Sequence, residues 1–232
     1  MTTSDLAGAA KWGAFYAGGT GSMFPDESLV RLFRGRFVDI PRGGRVLDVG
    51  FGTGNNLVMV AESGYEAHGL EVAEECLAAA RRLAESAGVS LTLGLLDGTK
   101  LPYPDAHFDV VLSWNAVYYH GARSTVAEAL ADFHRVLRPG GVLLLSVPHP
   151  NNALARRLSN DQGDGVHRIE KAFALDNRQG SAIFFEPTSS GWRRLLSCFD
   201  DVEEGYAEAD LFAPERRLAW RLFLARKGPL AR

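Results

Sequence analysis

Asp48, Gly50, Gly52 and Gly54 stand at alternate positions in the run from Gly44 to Leu57. Glycine serves where the backbone takes positive φ or where a ligand must approach the main chain closely. The short apolar run 46–49 precedes the glycines and an amphipathic run, 57–62, follows them. The pattern predicts a strand, a tight turn and a helix. A helix opening there aims its free N–H groups at whatever lies over the loop. The dinucleotide pattern G-x-G-x-x-G fails in both registers, because Asn55 and Leu57 stand where its last glycine would fall. The phosphate loop fails because no Lys-Ser or Lys-Thr follows. A carboxylate at a strand end, beside bare backbone, suits a ligand with a cationic part better than a pyrophosphate. The competing reading is a glycine-rich turn with no ligand.

Further residues with chemical potential lie downstream. Glu71 comes at the end of the next predicted strand, 65–70, and 21 positions after Gly50. At that spacing an acidic side chain accepts hydrogen bonds from a ribose diol; the alternative is a helix N-terminal acid like Glu74 and Glu75. Asp97 ends a third strand, 90–95, where an aspartate also commonly caps a turn. The stretch from Trp114 to His120 sits at the carboxyl end of a fourth strand, where open α/β sheets bind their ligands. Tyr119 and His120 belong to it. His149 follows a fifth strand, 142–147. Near the start, Trp12, Phe15 and Tyr16 lie among glycines, on a segment that either covers a ligand or anchors the tail.

The positioning elements alternate. A helix opens at 25–28, with proline and acids in its first turn, and runs through Phe37 on a stripe of Leu29, Leu32, Phe33 and Phe37. Helices are expected at 55–63, 73–87 and 122–137, closed by Gly64, Gly88 and the Arg138-Pro139-Gly140-Gly141 run. Alternating strand and helix from 44 to 147 predicts a parallel, doubly wound sheet. A helix at 188–199 and strands at 202–209 and 218–225 follow. The chain reads as one domain, 1–232, with an N-terminal flap and helix over 1–40. Residues 148–187 read as a substrate-lid insertion.

Composition narrows the classes. The 232 residues are 46% hydrophobic and 23% charged, ordinary for a soluble globular chain. A net charge of −3 provides no basic footprint, so no nucleic-acid partner is expected. Arg34, Arg36, Arg42 and Arg45 read as a solvated face at a helix end. Cys76 and Cys198 lack metal spacing and fall in helical patterns, as core residues. No metal and no membrane are expected, since no apolar run approaches the ~20 residues that span a bilayer. The start lacks a secretory signal, and a cytoplasmic location is the expectation.

Three stretches, in order, carry a resemblance. The run from Val46 to Gly54 resembles the first motif of the class I S-adenosylmethionine-dependent methyltransferases, small-molecule type. Leu96-Asp97-Gly98, Leu101-Pro102-Tyr103 and Phe108-Asp109-Val110-Val111 together are similar to the second. The run from Phe133 to Leu143 is similar to a third. The likeness covers 24–147 well and 188–226 in outline. It implies a Rossmann-like seven-stranded sheet, mostly parallel with an antiparallel last strand. It implies S-adenosylmethionine as cofactor and a small-molecule acceptor. By position, Gly50, Gly52, Gly54 and Asn55 would carry the methionine part, with Asp48 near its amino end. Glu71 and Val72 would hold the ribose, Asp97 and Gly98 would face adenine, and Trp114 and Asn115 would border the sulfonium. Tyr16 would reach the cofactor from the flap. Phe51 and the Asn55-Asn56 pair depart from the family pattern, and Phe51 is expected to reshape the pocket edge.

Methyl transfer from a sulfonium needs alignment above all, and a base only if the acceptor must lose a proton. The expected catalytic residues are His120, His149 and Tyr119, with a histidine taking the proton. The acceptor is expected between the flap and 148–187, segments that lie outside the core pattern and hold many aromatic residues, including Phe173, Phe184 and Phe185. A noncatalytic S-adenosylmethionine-binding or regulatory module is the alternative. Asn115-Ala116-Val117-Tyr118 departs from the Asn/Asp-Pro-Pro-aromatic run of nucleic-acid amino-methyltransferases.

Overall fold

The computed structural model describes residues 10, 12–14, 23–35, 39–96, 100–120, 123–170, 178–209 and 217–229. Helix α1, Glu27–Arg34, is capped by the Asp26 carboxylate, which accepts from Ser28 N. It buries Leu29 and Phe33. It ends at Gly35, short of the expected Phe37, because glycine is a poor helix former; Phe37 lies outside the described residues. Then come β1 (Arg45–Val49), α2 (Asn55–Glu62), β2 (Glu66–Glu71), α3 (Glu74–Ala87), β3 (Leu91–Leu95) and β4 (Phe108–Trp114). A 3-10 turn, Val117–His120, leads into α4 (Arg123–Val136) and β5 (Leu137–Pro148). The chain finishes with β6 (Val166–Arg168), β7 (Ala182–Phe184), α5 (Ser189–Leu195), β8 (Asp201–Ala209) and β9 (Leu218–Arg226).

Seven strands form one sheet in the order β3-β2-β1-β4-β5-β9-β8. The pairs β1–β2, β2–β3, β1–β4 and β4–β5 are parallel. The last strand, β9, runs antiparallel to both β5 and β8. The strand order reverses between β1 and β4, so a crevice opens outside their carboxyl ends. Both faces of the sheet are apolar, as a covered parallel sheet requires. Val46, Val110, Leu112, Val142 and Leu144 join residues of α1, α2 and α3 on one face. Leu47, Val49, Val111, Leu143 and Leu145 join residues of α4 and α5 on the other. Each buried aliphatic side chain contributes about 1.5–3 kcal/mol.

Four differences from the sequence reading have local causes. Helix α4 gives way to strand at Leu137, which pairs with Phe108 before the register jumps to Val110↔Val142. The extra residues at 138–141 are accommodated by Gly140, at φ +78°. The segment 148–187 carries its own two-stranded sheet, β6 with β7, and sends Leu154, Ile169, Ile183 and Phe184 into the core. Phe184 therefore packs against Trp192 in the interior and lines no open space. Phe185 lies against His167, and Phe173 falls outside the described residues. Helix α5 is shorter than the predicted 188–199, and Cys198 is exposed in the turn beyond it; Cys76 is buried in α3.

The arginines near β1 are dispersed and paired. Arg34 binds Glu62, Arg42 donates to the Phe33 carbonyl, and Arg45 faces Glu66 and His107. Arg36 is outside the described residues. Among the described residues no helix is long and apolar enough to cross a membrane.

Candidate cofactor and acceptor site

The glycine loop lies at the reversal of strand order. Gly50, Gly52 and Gly54 sit at φ +81°, +59° and +87°, the left-handed region that side chains avoid. A Cβ on Gly50 would stand 2.5 Å from the Ala116 Cβ, and one on Gly54 would stand 2.6 Å from the Ala80 Cβ. The loop is thus wedged between the extension of β4 and helix α3. Phe51 is buried, and its ring fills the space above Gly69. The expectation that it reshapes the pocket edge is corrected: it points into the core. Asn56 has a structural use as well, since its Oδ1 accepts from Asp26 N at 2.8 Å and ties α1 to α2. Helix α2 opens at Asn55, and its N-cap, Gly54, offers no side-chain cap. Asn55 instead donates to Thr53 Oγ1 at 2.8 Å.

Two carboxylates flank the loop. Asp48 is 1% exposed, and neither of its oxygens has a hydrogen-bond partner among the described residues. Burial, and then the charge of Glu71, pushes its carboxyl well above the usual range. A buried ionisable group left this way costs stability unless a ligand compensates it. Glu71 ends β2. Its Oε1 accepts from Gly52 N at 3.0 Å and its Oε2 from Val72 N at 2.6 Å. Burial raises its carboxyl too, and those two backbone bonds oppose the rise. Val72 follows, exposed at the rim.

Across the crevice, Trp114 closes β4 and is nearly buried. Asn115 holds φ +59°, unusual for a residue with a side chain. Ser146 of β5 fixes it there: Ser146 Oγ accepts from Asn115 N and donates to Asn115 Oδ1, both at 2.8 Å. Tyr119 stands on the following 3-10 turn. Its ring meets Trp12 edge-on at 4.8 Å, and its hydroxyl accepts from Arg178 Nη1 at 2.9 Å. A Cβ on the adjacent Gly13 would meet Glu75 Oε2 at 2.6 Å. The N-terminal segment therefore reaches both α3, beside β2, and the turn after β4. The glycine loop of β1 lies between them.

The structure thus brings together Asp48, Gly50, Gly52, Gly54, Asn55, Glu71, Val72, Trp114, Asn115 and Tyr119. Tyr16, Asp97, Gly98 and the side chain of His120 lie outside the described residues. His149 is set apart. Its ring packs on Tyr206 of β8 at 4.7 Å, in a surface cavity of about 270 Å³ shared with Glu204, Glu208 and Arg221. Burial, then the Arg221 cation, holds its imidazole below the usual range against the pull of Glu208 and Glu204. His149 thus packs toward β8, which lies on the far side of β5 from β4 and Trp114. Among the described residues no group of His, Cys, Asp and Glu has metal-binding geometry. Sequence reasoning missed Ser146 and Arg178, whose roles arise from long-range contacts that leave no local pattern.

Known proteins share these features. A protein-family model described as a methyltransferase domain matches residues 46–141. The demethylmenaquinone methyltransferase of Thermus thermophilus is 36% identical over 109 residues, covering 46% of this chain and 48% of that protein. An S-adenosyl-L-methionine-dependent Diels-Alderase of Talaromyces variabilis is 29% identical over 149 residues, covering 61% and 50%. The chain spans about half the length of the curated relatives it matches. A S-adenosylmethionine-dependent methyltransferase of Methanosarcina mazei superposes with a TM-score of 0.70 at 17% identity, over 89% of this chain and 100% of that one. Residues 46–141 thus match a methyltransferase domain, and the strand order is that of a Rossmann-like seven-stranded methyltransferase fold.

Proposed function

We propose that the chain binds S-adenosylmethionine across the β1–β4 reversal and transfers its methyl group to a small-molecule acceptor by in-line displacement. The observation that carries this reading is the buried Asp48 carboxylate, without a hydrogen-bond partner among the described residues, next to three left-handed glycines. Such a cradle leaves room at bare backbone and offers a carboxylate to a ligand with an ammonium and a sulfonium. Gly50, Gly52, Gly54 and Asn55 hold the methionine part, with Asp48 near its amino end. Glu71 and Val72 hold the ribose. Each carboxylate oxygen can accept more than one hydrogen bond, so the backbone donors on Glu71 leave capacity for a diol. Asp97 and Gly98 face adenine, Tyr16 reaches in from the flap, and Trp114 and Asn115 border the sulfur.

The bound cofactor supplies an electrophilic methyl group. The chain supplies alignment, which contributes about 7–11 kcal/mol to a step of this kind. Trp12, Trp114 and Tyr119 keep water out while charge disperses. The acceptor lies between the N-terminal segment and the 148–187 insertion. Relatives named as quinone methyltransferases make a hydroquinone the first acceptor to try. Calorimetric titration tests the cofactor: micromolar binding of S-adenosylhomocysteine with none of NADH is the expected outcome, and the reverse preference ends the proposal.

Removing residues 1–22 is expected to cut turnover at least about tenfold, because Trp12 and Gly13 bridge the crevice. Chromatography of the product S-adenosylhomocysteine reads this, and full activity in the truncated protein removes the segment from the site. The Talaromyces relative supports a second reading, in which the cofactor is held without donating its methyl group. Cofactor that binds yet stays intact with every acceptor offered selects that reading.

A further inference from the structure

Three segments far apart in the chain converge on one side chain. Tyr119 Oη accepts from Arg178 Nη1, contributed by the 148–187 insertion, at 2.9 Å. Trp12, from the N-terminal segment, meets the Tyr119 ring at 4.8 Å with the planes at 83°. Tyr118, from the same 3-10 turn, lies 4.6 Å away at a 36° tilt and is itself buried. Among the described residues, Arg178 is a charged group and Tyr118 a titratable group that face it. Tyr119 rises three residues after Ala116, whose Cβ occupies the place a Gly50 side chain would take. Its N–H donates to the Ala116 carbonyl at 3.0 Å, which fixes the turn. The phenol therefore stands on the turn whose Ala116 braces the glycine loop, against the N-terminal segment.

We propose that Tyr119 is the proton acceptor of the reaction and that Arg178 is the positioning residue that readies it. The assignment rests on the methyltransferase reading and replaces a histidine in that role. Arginine stays protonated throughout the working pH range. A cationic donor on a phenolic oxygen favours the phenolate over the phenol. A base also has to stand within hydrogen-bond reach of the proton it takes. Tyr119 Oη takes the proton from the acceptor's O–H or N–H and becomes the neutral phenol. The electron pair so released forms the bond to the methyl carbon, and the carbon–sulfur pair leaves with sulfur. The proton then passes from the phenol to solvent.

Ultraviolet titration of phenolate absorbance tests the pair without an acceptor. The chain has six tyrosines. Burial raises Tyr65, Tyr103 and Tyr206 from the ordinary phenol range, and Tyr16→Phe and Tyr118→Phe controls separate the remaining two from Tyr119. The expected result is one phenolate component that depends on both Tyr119 and Arg178. Tyr119→Phe removes it, Arg178→Gln moves it up, and Arg178→Lys keeps most of the effect. All three variants retain S-adenosylhomocysteine binding, and Tyr119→Phe lowers turnover at least about 100-fold. A component that is absent from the wild type, survives Tyr119→Phe or ignores Arg178→Gln overturns the assignment while cofactor binding stands. Failure of the wild type to bind S-adenosylhomocysteine overturns the methyltransferase reading, and this one with it.

Discussion

Gly52→Val is expected to lower S-adenosylhomocysteine affinity at least about 100-fold, roughly 2.7 kcal/mol or more, while the protein stays folded. Gly52 occupies φ +59° and donates its N–H to Glu71 at 3.0 Å. A β-branched residue cannot hold that backbone without strain, on the order of 1–2 kcal/mol. In a chain of this size that corresponds to a fall in Tm of roughly 2–8 °C. The binding loss is larger because the added side chain stands over the bare backbone and displaces the loop from Glu71. Gly50→Val provides the contrast. Its Cβ would meet Ala116 at 2.5 Å, so this change attacks packing as well as the ligand and destabilises the fold more. Calorimetry for binding and circular dichroism for Tm separate the two. Unchanged affinity in Gly52→Val removes the loop from the cofactor site.

Asp48→Asn is expected to stabilise the ligand-free protein above neutral pH and to weaken cofactor binding. Burial raises the carboxyls of both Asp48 and Glu71 in the folded chain. From the ordinary carboxylate range of ~4 upward, the folded protein then binds more protons than the unfolded chain. Stability accordingly falls as pH rises through the raised folded values, and it is recovered on acidification toward the ordinary range. Replacing Asp48 by a neutral isostere removes one of these two contributions. At pH ~8 the gain is on the order of 1–3 kcal/mol, the excess cost of burying a charged carboxylate beside Glu71 over burying a neutral amide. With saturating S-adenosylhomocysteine the order reverses, because binding stabilises the wild type more. Thermal melts across pH, with and without ligand, measure this. A lower Tm for the ligand-free variant at pH ~8 would show that Asp48 is already compensated.

Both predictions place a stability cost at the site. Asp48 is buried without a hydrogen-bond partner among the described residues, Asn115 holds positive φ, and the three loop glycines are left-handed. Strained and unsatisfied groups persist where the surrounding structure over-determines them. Here Ser146 restrains Asn115 from β5, and Ala116 and Ala80 brace the loop.

Much of the molecule was legible in the residues. The parallel sheet follows from apolar strands alternating with amphipathic helices, because each periodicity reports one local geometry. Asp48, the three glycines and Glu71 stand out because their spacing along the chain is set by a single strand–turn–helix–strand unit. Val72, Trp114 and Asn115 follow from lying at strand ends. What depended on the tertiary structure is what joins distant segments. The register break at 138–141, the burial of Phe51 and Phe184, and the displacement of His149 toward β8 each depend on a neighbour far away in sequence. So does the convergence of Trp12, Arg178 and Tyr119, which lie 107 and 59 positions apart along the chain. Local pattern determines which elements form and which residues end them. Which of those ends share a crevice is decided by packing, since each contact is closed by long-range burial and leaves no period in the sequence.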